Sequence, residues 1–283
     1  MLKTPSKEKA VGTLFSTLDI ARSGMQASQV QLNVAGHNIA NVNSEGYSRQ
    51  RVHLTTPPPI QLSFGQLGRG VSIAEVRRIR DEFVDRILRS QVAGLGNAEV
   101  QAQYFQLLED TLLESTDRGL GVRLNAFFDA LNDFANNVES FSVREATVTE
   151  AQAIAGSLND AISRLYLLRT NANEEIRNIV PEINSLAQRI FETNQVIRDA
   201  ELGESVANDL RDERDRALDQ LARLVNINYT ELENGEITVR IAADALVDPT
   251  GWRELTVVPN PTLDPERVDL LEVRFADNGQ LVD

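Results

Sequence analysis

The sequence predicts a mainly α chain: an elongated bundle of long helices, led by an N-terminal heptad helix and followed by an incomplete β domain. Three observations carry that prediction. First, the apolar or small positions Val11, Leu14, Leu18, Ala21, Met25, Ser28, Leu32, Ala35, Ile39 and Val42 alternate steps of three and four, the seam of a heptad repeat. Second, a row with the same spacing runs from Leu158 through Ile162, Leu165, Ala172, Ile176, Ile179, Ile183, Leu186 and Ile190 to Ile197, with only Arg169 and Thr193 out of character. Third, after Ile227 the apolar period drops to two, as in strands.

Between Val11 and Ser44 the only charges are Asp19 and Arg22, while Gln26, Gln29, Gln31, Asn33, Asn38, Asn41 and Asn43 supply amides. A surface helix carries a charged outer face and a two-stranded coiled coil carries charged flanks; this helix has neither. Its small residues (Ala21, Gly24, Ala27, Ser28, Ala35, Gly36) admit close backbone approach, and amides bond to neighbours without the desolvation cost of a full charge. The pattern points to a helix enclosed by copies of itself or close relatives; the competing reading is a core helix of a soluble monomer. At its end Gly46 suits a turn with positive φ, after which Tyr47 can dock on the helix with its hydroxyl on a polar group.

Residues 46–76 read as an extended connector, because Pro57-Pro58-Pro59 cannot be helical and Gly65, Gly68 and Gly70 frame a turn before a short strand at Val71, Ile73 and Val76. Residues 77–226 read as an elongated helical bundle. Gly94-Leu95-Gly96 is a candidate kink, and Val122 to Val138 makes a compact amphipathic helix. Ser142 to Leu202 is the longest helix, about 80–90 Å at 1.5 Å per residue, with a bend expected at Pro181. Val206 to Val225 returns antiparallel after a stop at Leu202-Gly203. Residues 227–283 begin a β domain, with a hairpin signal at Asn234-Gly235 and a turn at Asp277-Asn278-Gly279, and read as truncated at Asp283.

Composition narrows function mainly by exclusion. A net charge of −14 argues against a nucleic-acid surface, and the absence of cysteine removes disulfides, thiol catalysis and thiolate metal sites. No run of 18 apolar residues is present, so no membrane span is expected. His37 and His53, the only histidines, have no carboxylate and nucleophile around them in sequence, and the glycines at 65, 68 and 70 lack a phosphate-loop context. Asp209, Asp212, Glu213, Asp215 and Asp219 are interleaved with Arg211, Arg214, Arg216 and Arg223 at i,i+3 and i,i+4, which reads as a solvated ion-pair face and not as a cation site. The expectation is a protein with no catalytic residue, cofactor or metal.

Where the first helix ends, the run Asn38, Ile39, Ala40, Asn41, Asn43, Gly46, Tyr47 resembles the N-terminal signature of the axial proteins of the bacterial flagellum, its rod, hook and hook-associated proteins. The continuation Ser48-Arg49-Gln50 and the segment Asp209–Ile227 are most similar to the hook-associated branch at the hook–filament junction. That resemblance implies a secreted structural subunit, exported unfolded through the flagellum's own apparatus by an uncleaved, disordered segment (residues 1–10, longer than the family's usual start). The helix at 11–45 would then be the axial coiled-coil helix. Leu14, Leu18, Ala21, Met25, Leu32, Ala35 and Ile39 would pack against sister subunits, and Asn38, Asn41, Asn43, Gly46, Tyr47, Ser48, Arg49 and Gln50 would set the exit turn. Implied partners are sister subunits, the hook protein, the next junction protein, the filament and the export apparatus. The resemblance covers the N-terminal half of a typical member, whose C-terminal helix would pair with the first. A rod or hook protein, and a cytoplasmic coiled-coil adaptor, remain as alternatives.

Overall fold

The structure is a computed structural model that describes residues 7–62, 65–112, 119–203, 205–260 and 270–282. Its element order is α1 (Lys7–Ala40), β1 (Gln50–Thr55), β2 (Ile60–Leu62), β3 (Gly65–Leu67), β4 (Ser72–Arg78), α2 (Glu82–Leu112), α3 (Leu120–Asn136), α4 (Phe141–Ala200), α5 (Asn208–Leu224), β5 (Ile227–Glu231), β6 (Ile237–Ile241), β7 (Asp244–Asp248), β8 (Gly251–Trp252), β9 (Leu255–Pro259) and β10 (Leu271–Phe275). The chain is mainly α with a partial β region. Of the leading segment 1–10, residues 1–6 lie outside the described residues and Lys7–Ala10 belong to α1.

The chain divides into two compact units. The first gathers Met1–Arg89, Leu186–Ala222 and Ile227–Trp252. Its core is built by the end of α4, by α5 and by the antiparallel sheet β5-β6-β7-β8. Ile190, Ile197, Leu218, Leu221, Ile237, Val239, Leu246 and Val247 are all buried there. The sheet takes its register from the Asn234-Gly235 turn, where Gly235 holds φ +81° and Ile227 pairs with Ile241. Asn194 of α4 ties helix to sheet: its Nδ2 donates to the Ile237 carbonyl at 2.8 Å and its Oδ1 accepts from the Ile237 N–H at 3.2 Å. A buried amide satisfied on both sides fixes one register where an apolar residue would tolerate several.

Where residues 46–76 read as an extended connector with one short strand, the chain from Gln50 to Arg78 forms two antiparallel hairpins, one inside the other. β1 pairs with β4 from Gln50↔Arg78 to Thr55↔Ser72, and the three prolines fall between β1 and β2, where no ladder bond is required of them.

The second unit holds Ser90–Ser185, Arg223–Asn226 and Arg253–Asp283. α2 runs through the candidate kink at Gly94–Gly96 and α4 through Pro181, each as one continuous helix. Thr147 of α4 donates to the Ala130 carbonyl of α3, and Tyr104 of α2 donates to Glu175 of α4 at 2.7 Å. β9 pairs with β10 and is clasped by Asn184, which bonds the Leu255 N–H and carbonyl as Asn194 does Ile237. The row from Leu158 to Ile197 is buried only in its later part, from Ile183 onward. Earlier, Leu158, Ile162 and Leu165 are exposed, and Thr147, Ile154, Ser157, Ala161 and Leu168 face inward instead.

An exposed heptad seam and its polar clasp

α1 has two opposed rows. Ile20, Ser23, Ala27, Val30, Val34, Asn38 and Asn41 are half-buried or buried, with Ala27 the most enclosed at 4% exposure. This row meets the β1–β4 hairpin. The Ser23 hydroxyl accepts from the Val71 N–H at 3.2 Å, and a Cβ on Gly70 (φ +85°) would lie 2.3 Å from the Ser23 oxygen and 3.2 Å from the Ile20 Cα. Only glycine permits that approach.

The other row is the heptad seam. Leu18, Met25, Leu32 and Ile39 are between 63% and 74% exposed, and Ala21 and Ala35 are exposed beside them. Leu14 is helical, but its side chain lies outside what is described. Two positions along an α-helix turn the side chain by about 200°, so covering the first row leaves the second facing outward. Among the described residues nothing covers the seam, which is not how a helix in the core of these residues would sit.

At the end of α1 the turn residues converge on Asn38. Its Oδ1 accepts from the Tyr47 hydroxyl (2.8 Å) and the Gln50 N–H (2.8 Å), and its Nδ2 donates to the Gln50 carbonyl (2.9 Å). Tyr47 also reaches His37 Nδ1 at 3.0 Å, ring edge to ring face. Gly46 holds φ +73°, and a Cβ there would meet Arg216 Cγ at 2.2 Å, so conformation and space both demand glycine. Asn41 donates to the His37 carbonyl, and Ser48 is buried. Asn43 and Arg49 stay exposed, outside this cluster.

The limb formed by α1 and the hairpin is clasped to α5. The Ser48 N–H donates to Asp212 at 2.8 Å and Gln50 Nε2 to Asp209 at 2.9 Å. Arg78 Nη1 donates to Asp212 at 2.7 Å and to Asp215 at 2.6 Å, while Asn208 donates to the Val76 carbonyl at 2.7 Å. From α2, Arg89, 3% exposed, reaches Asp219 at 2.7 Å and Asp215 at 3.1 Å, with Tyr229 of β5 under its guanidinium. Arg80 adds Asp85 and, at 3.5 Å, Asp215. On its other side α5 sends Arg214 to Asn194 and the Gly235 carbonyl, and Arg211 to Glu201 and Glu231.

This corrects the reading of Asp209–Ile227 as a solvated ion-pair face. Asp212, Arg214 and Asp215 are buried, and their recorded partners come from other elements. Burial pushes the Asp215 carboxyl up, but the guanidiniums of Arg80, Arg78 and Arg89 outweigh it and hold the group below the usual carboxylate range. Burial lowers Arg214 to about 10, with Arg211 and Arg78 adding to the effect against Glu231 and Asp215, so it stays charged at neutral pH. Asn208, Asp212, Asp215 and Asp219 follow steps of four, three and four. They make a polar heptad row, and that spacing was the available signal for a docking face.

Among the described residues no group of His, Asp or Glu is arranged to hold a metal ion, and no helix is long and apolar enough to cross a membrane. The arrangement is one helix face left exposed and a helix end held to the hairpin by a network of directional bonds.

Comparison with known proteins agrees with that arrangement. The family model described as the flagellar hook-associated protein FlgK helical domain matches residues 105–282, and one described as the flagella basal body rod protein matches 18–47. The chain is 32% identical over 228 residues to flagellar hook-associated protein 1 of Bacillus subtilis, covering 78% of this chain and 45% of that protein. It is 29% identical over 267 residues to the Salmonella typhimurium protein of the same name, covering 92% and 47%. In fold it is similar to the flagellar hook junction protein FlgK of Burkholderia pseudomallei, with a TM-score of 0.55 at 24% identity over 70% of this chain and 34% of the other. The chain spans about half the length of the curated relatives it matches.

Proposed function

The chain belongs to the family of flagellar hook-associated proteins that carry the FlgK helical domain. From that premise we infer that it is a non-catalytic structural subunit of the bacterial flagellum at the hook–filament junction. It is exported by the flagellum's own apparatus and assembles with sister subunits, the hook protein, the next junction protein and the filament. The observation that carries the reading is the seam of α1, four large apolar side chains in heptad register left uncovered by the described residues.

In this reading Leu14, Leu18, Ala21, Met25, Leu32, Ala35 and Ile39 are the axial packing contacts. Asn38, Asn41, Gly46, Tyr47, Ser48 and Gln50 set the angle at which the chain leaves the axial layer, with Asn43 and Arg49 exposed beside them, and the clasp on α5 transmits load from that layer to the body. Shearing appendages from cells and probing both fractions for the protein tests the assignment. Recovery in the sheared fraction, confined to the hook's distal end, is the expected result. Labelling along the whole hook favours a rod or hook protein, and recovery in the cytoplasm alone removes the flagellar reading.

A further inference from the structure

Charge is distributed unevenly along this chain. Residues 1–80 carry ten Lys and Arg against four Asp and Glu; of the chain's totals of 28 and 42, that leaves 18 basic against 38 acidic residues in 81–283. The net charge is thus +6 over residues 1–80 and −20 over residues 81–283. Part of this complementarity is consumed internally, because Arg78 and Arg80 turn inward to the Asp212–Asp215 clasp. Strand alternation then places the neighbouring arginines on the opposite face.

On that face Arg51 stands directly across from Arg77, and His53 across from Glu75. Like charges directly opposite on paired strands destabilise a hairpin, and among the described residues the recorded offset is one long pair. Arg77 reaches only Glu75, at 3.8 Å, with both side chains exposed. Arg49 and Arg51 are exposed, and among the described residues neither guanidinium is recorded in an ion pair. Three arginines thus stand side by side on one exposed face, with Glu75 the carboxylate recorded beside them among the described residues.

We propose that the outer face of the β1–β4 hairpin, through Arg49, Arg51 and Arg77, is a docking surface for the acidic body of a second copy of this chain. The proposal rests on the self-assembly reading above and adds the contact that makes it electrostatically feasible. Copies whose residues 81–283 carry a net charge of −20 repel one another, and the arginine face of the hairpin offers a positive surface to meet that charge. Donor patch and acceptor surface differ, so the contact is heterologous, the type that generates rings and helical arrays and not closed pairs. It also lies on the same limb as the α1 seam, so one limb would engage a neighbour by apolar packing and by charge.

The test is sedimentation of the purified full chain, at the highest soluble concentration, in about 20 mM and about 500 mM salt, where the screening length differs several-fold. Wild-type protein should self-associate at low salt and dissociate at high salt. R51E/R77E should weaken low-salt association at least tenfold, and R51K/R77K, which keeps the charges, should retain it. Trp252 fluorescence and far-UV circular dichroism confirm that each variant is folded. A wild-type chain that stays monomeric at low salt, association unchanged in R51E/R77E, or equal loss in R51K/R77K would overturn the proposal. Association that appears only on adding anionic vesicles or nucleic acid would overturn it too. Shear fractionation tests the flagellar assignment independently, so failure of one reading does not pass for failure of the other.

Discussion

α1 and α5 exchange the places their compositions assign them. From Leu18 to Val42, α1 and its exit carry only Asp19 and Arg22 as charges, yet only Ala27 is fully buried. The 17-residue α5 carries nine charged side chains, and Asp212, Arg214 and Asp215 lie buried within it. In the proposed reading, the apolar side chains of α1 are left in water because their partner belongs to another molecule. A charged side chain is buried when opposite charges and hydrogen bonds meet it inside. Hydrophobicity alone therefore misplaces both helices, and the difference between them is where each finds its partners.

The largest break in this comparison comes from removing one charge of the clasp. Asp215→Ala leaves Arg78, Arg80 and Arg89 facing a buried gap, and truncating one partner of a buried ion pair costs about 3–5 kcal/mol. Trp252 is the only tryptophan and lies in β8 of the first unit, so its fluorescence through a urea titration reads that unit's unfolding. A midpoint shift worth less than about 1 kcal/mol would mean that water, not the arginines, supports Asp215.

Acid should break the clasp more gently. The native Asp215 and Glu201 carboxyls both lie below their ordinary values, Asp215 through Arg80, Arg78 and Arg89 acting against burial, Glu201 through Arg211 and the Ala207 N–H acting against burial. A carboxyl depressed in the folded state contributes stability that is complete above its unfolded value, near about 4, and is lost as pH falls through the native value. The urea midpoint should therefore hold steady above about pH 5 and decline below about pH 4. Asp215→Asn should flatten that decline; a decline of the same slope in the variant would place the acid-sensitive group elsewhere.

What could be read in advance was local. The α1 heptad, the glycine at position 46, the docking of Tyr47 and the Asn234-Gly235 hairpin each follow from residues within one turn or strand of each other. The clasp was not legible in that way. Arg78 and Arg89 stand well over a hundred residues from Asp212 and Asp215, and the arginines interleaved along α5 offered a sufficient local explanation for its carboxylates. The pairing of β1 with β4 was hidden similarly, because three prolines between strands look the same as three prolines in a connector. The residue pattern also suggested that the α1 seam would be enclosed. Which face the chain itself covers emerged only once the hairpin's position was known.

Smaller effects sharpen the contrast at the point where α1 joins the hairpin. Asn38→Ala removes the group that serves the Gln50 N–H, the Gln50 carbonyl and the Tyr47 hydroxyl together. Leaving those part-buried groups unpaired should cost about 1–3 kcal/mol. Tyr47→Phe loses one hydroxyl and should cost about 0.5–1.5 kcal/mol, with amide exchange at Gln50 faster in the first variant than in the second. Equal exchange in both would show that Asn38 holds the turn through Tyr47 and not through the strand.

The smallest expected change tests the comparison most directly. Leu32 is 74% exposed on the seam, so Leu32→Lys removes little apolar area from within this chain and should leave the urea midpoint within about 0.5 kcal/mol of wild type. Ala27→Lys, five residues earlier on the opposite row, drives a charge into the contact with the hairpin and should destabilise α1 docking by about 2 kcal/mol or more. The two variants add the same ammonium to the same helix, so composition and helix propensity nearly cancel between them. If Leu32→Lys also fails to assemble in cells while its isolated chain is unchanged, the seam belongs to the assembly. If Leu32→Lys unfolds the isolated chain as Ala27→Lys does, the seam is covered from within, and α1 loses its contrast with α5.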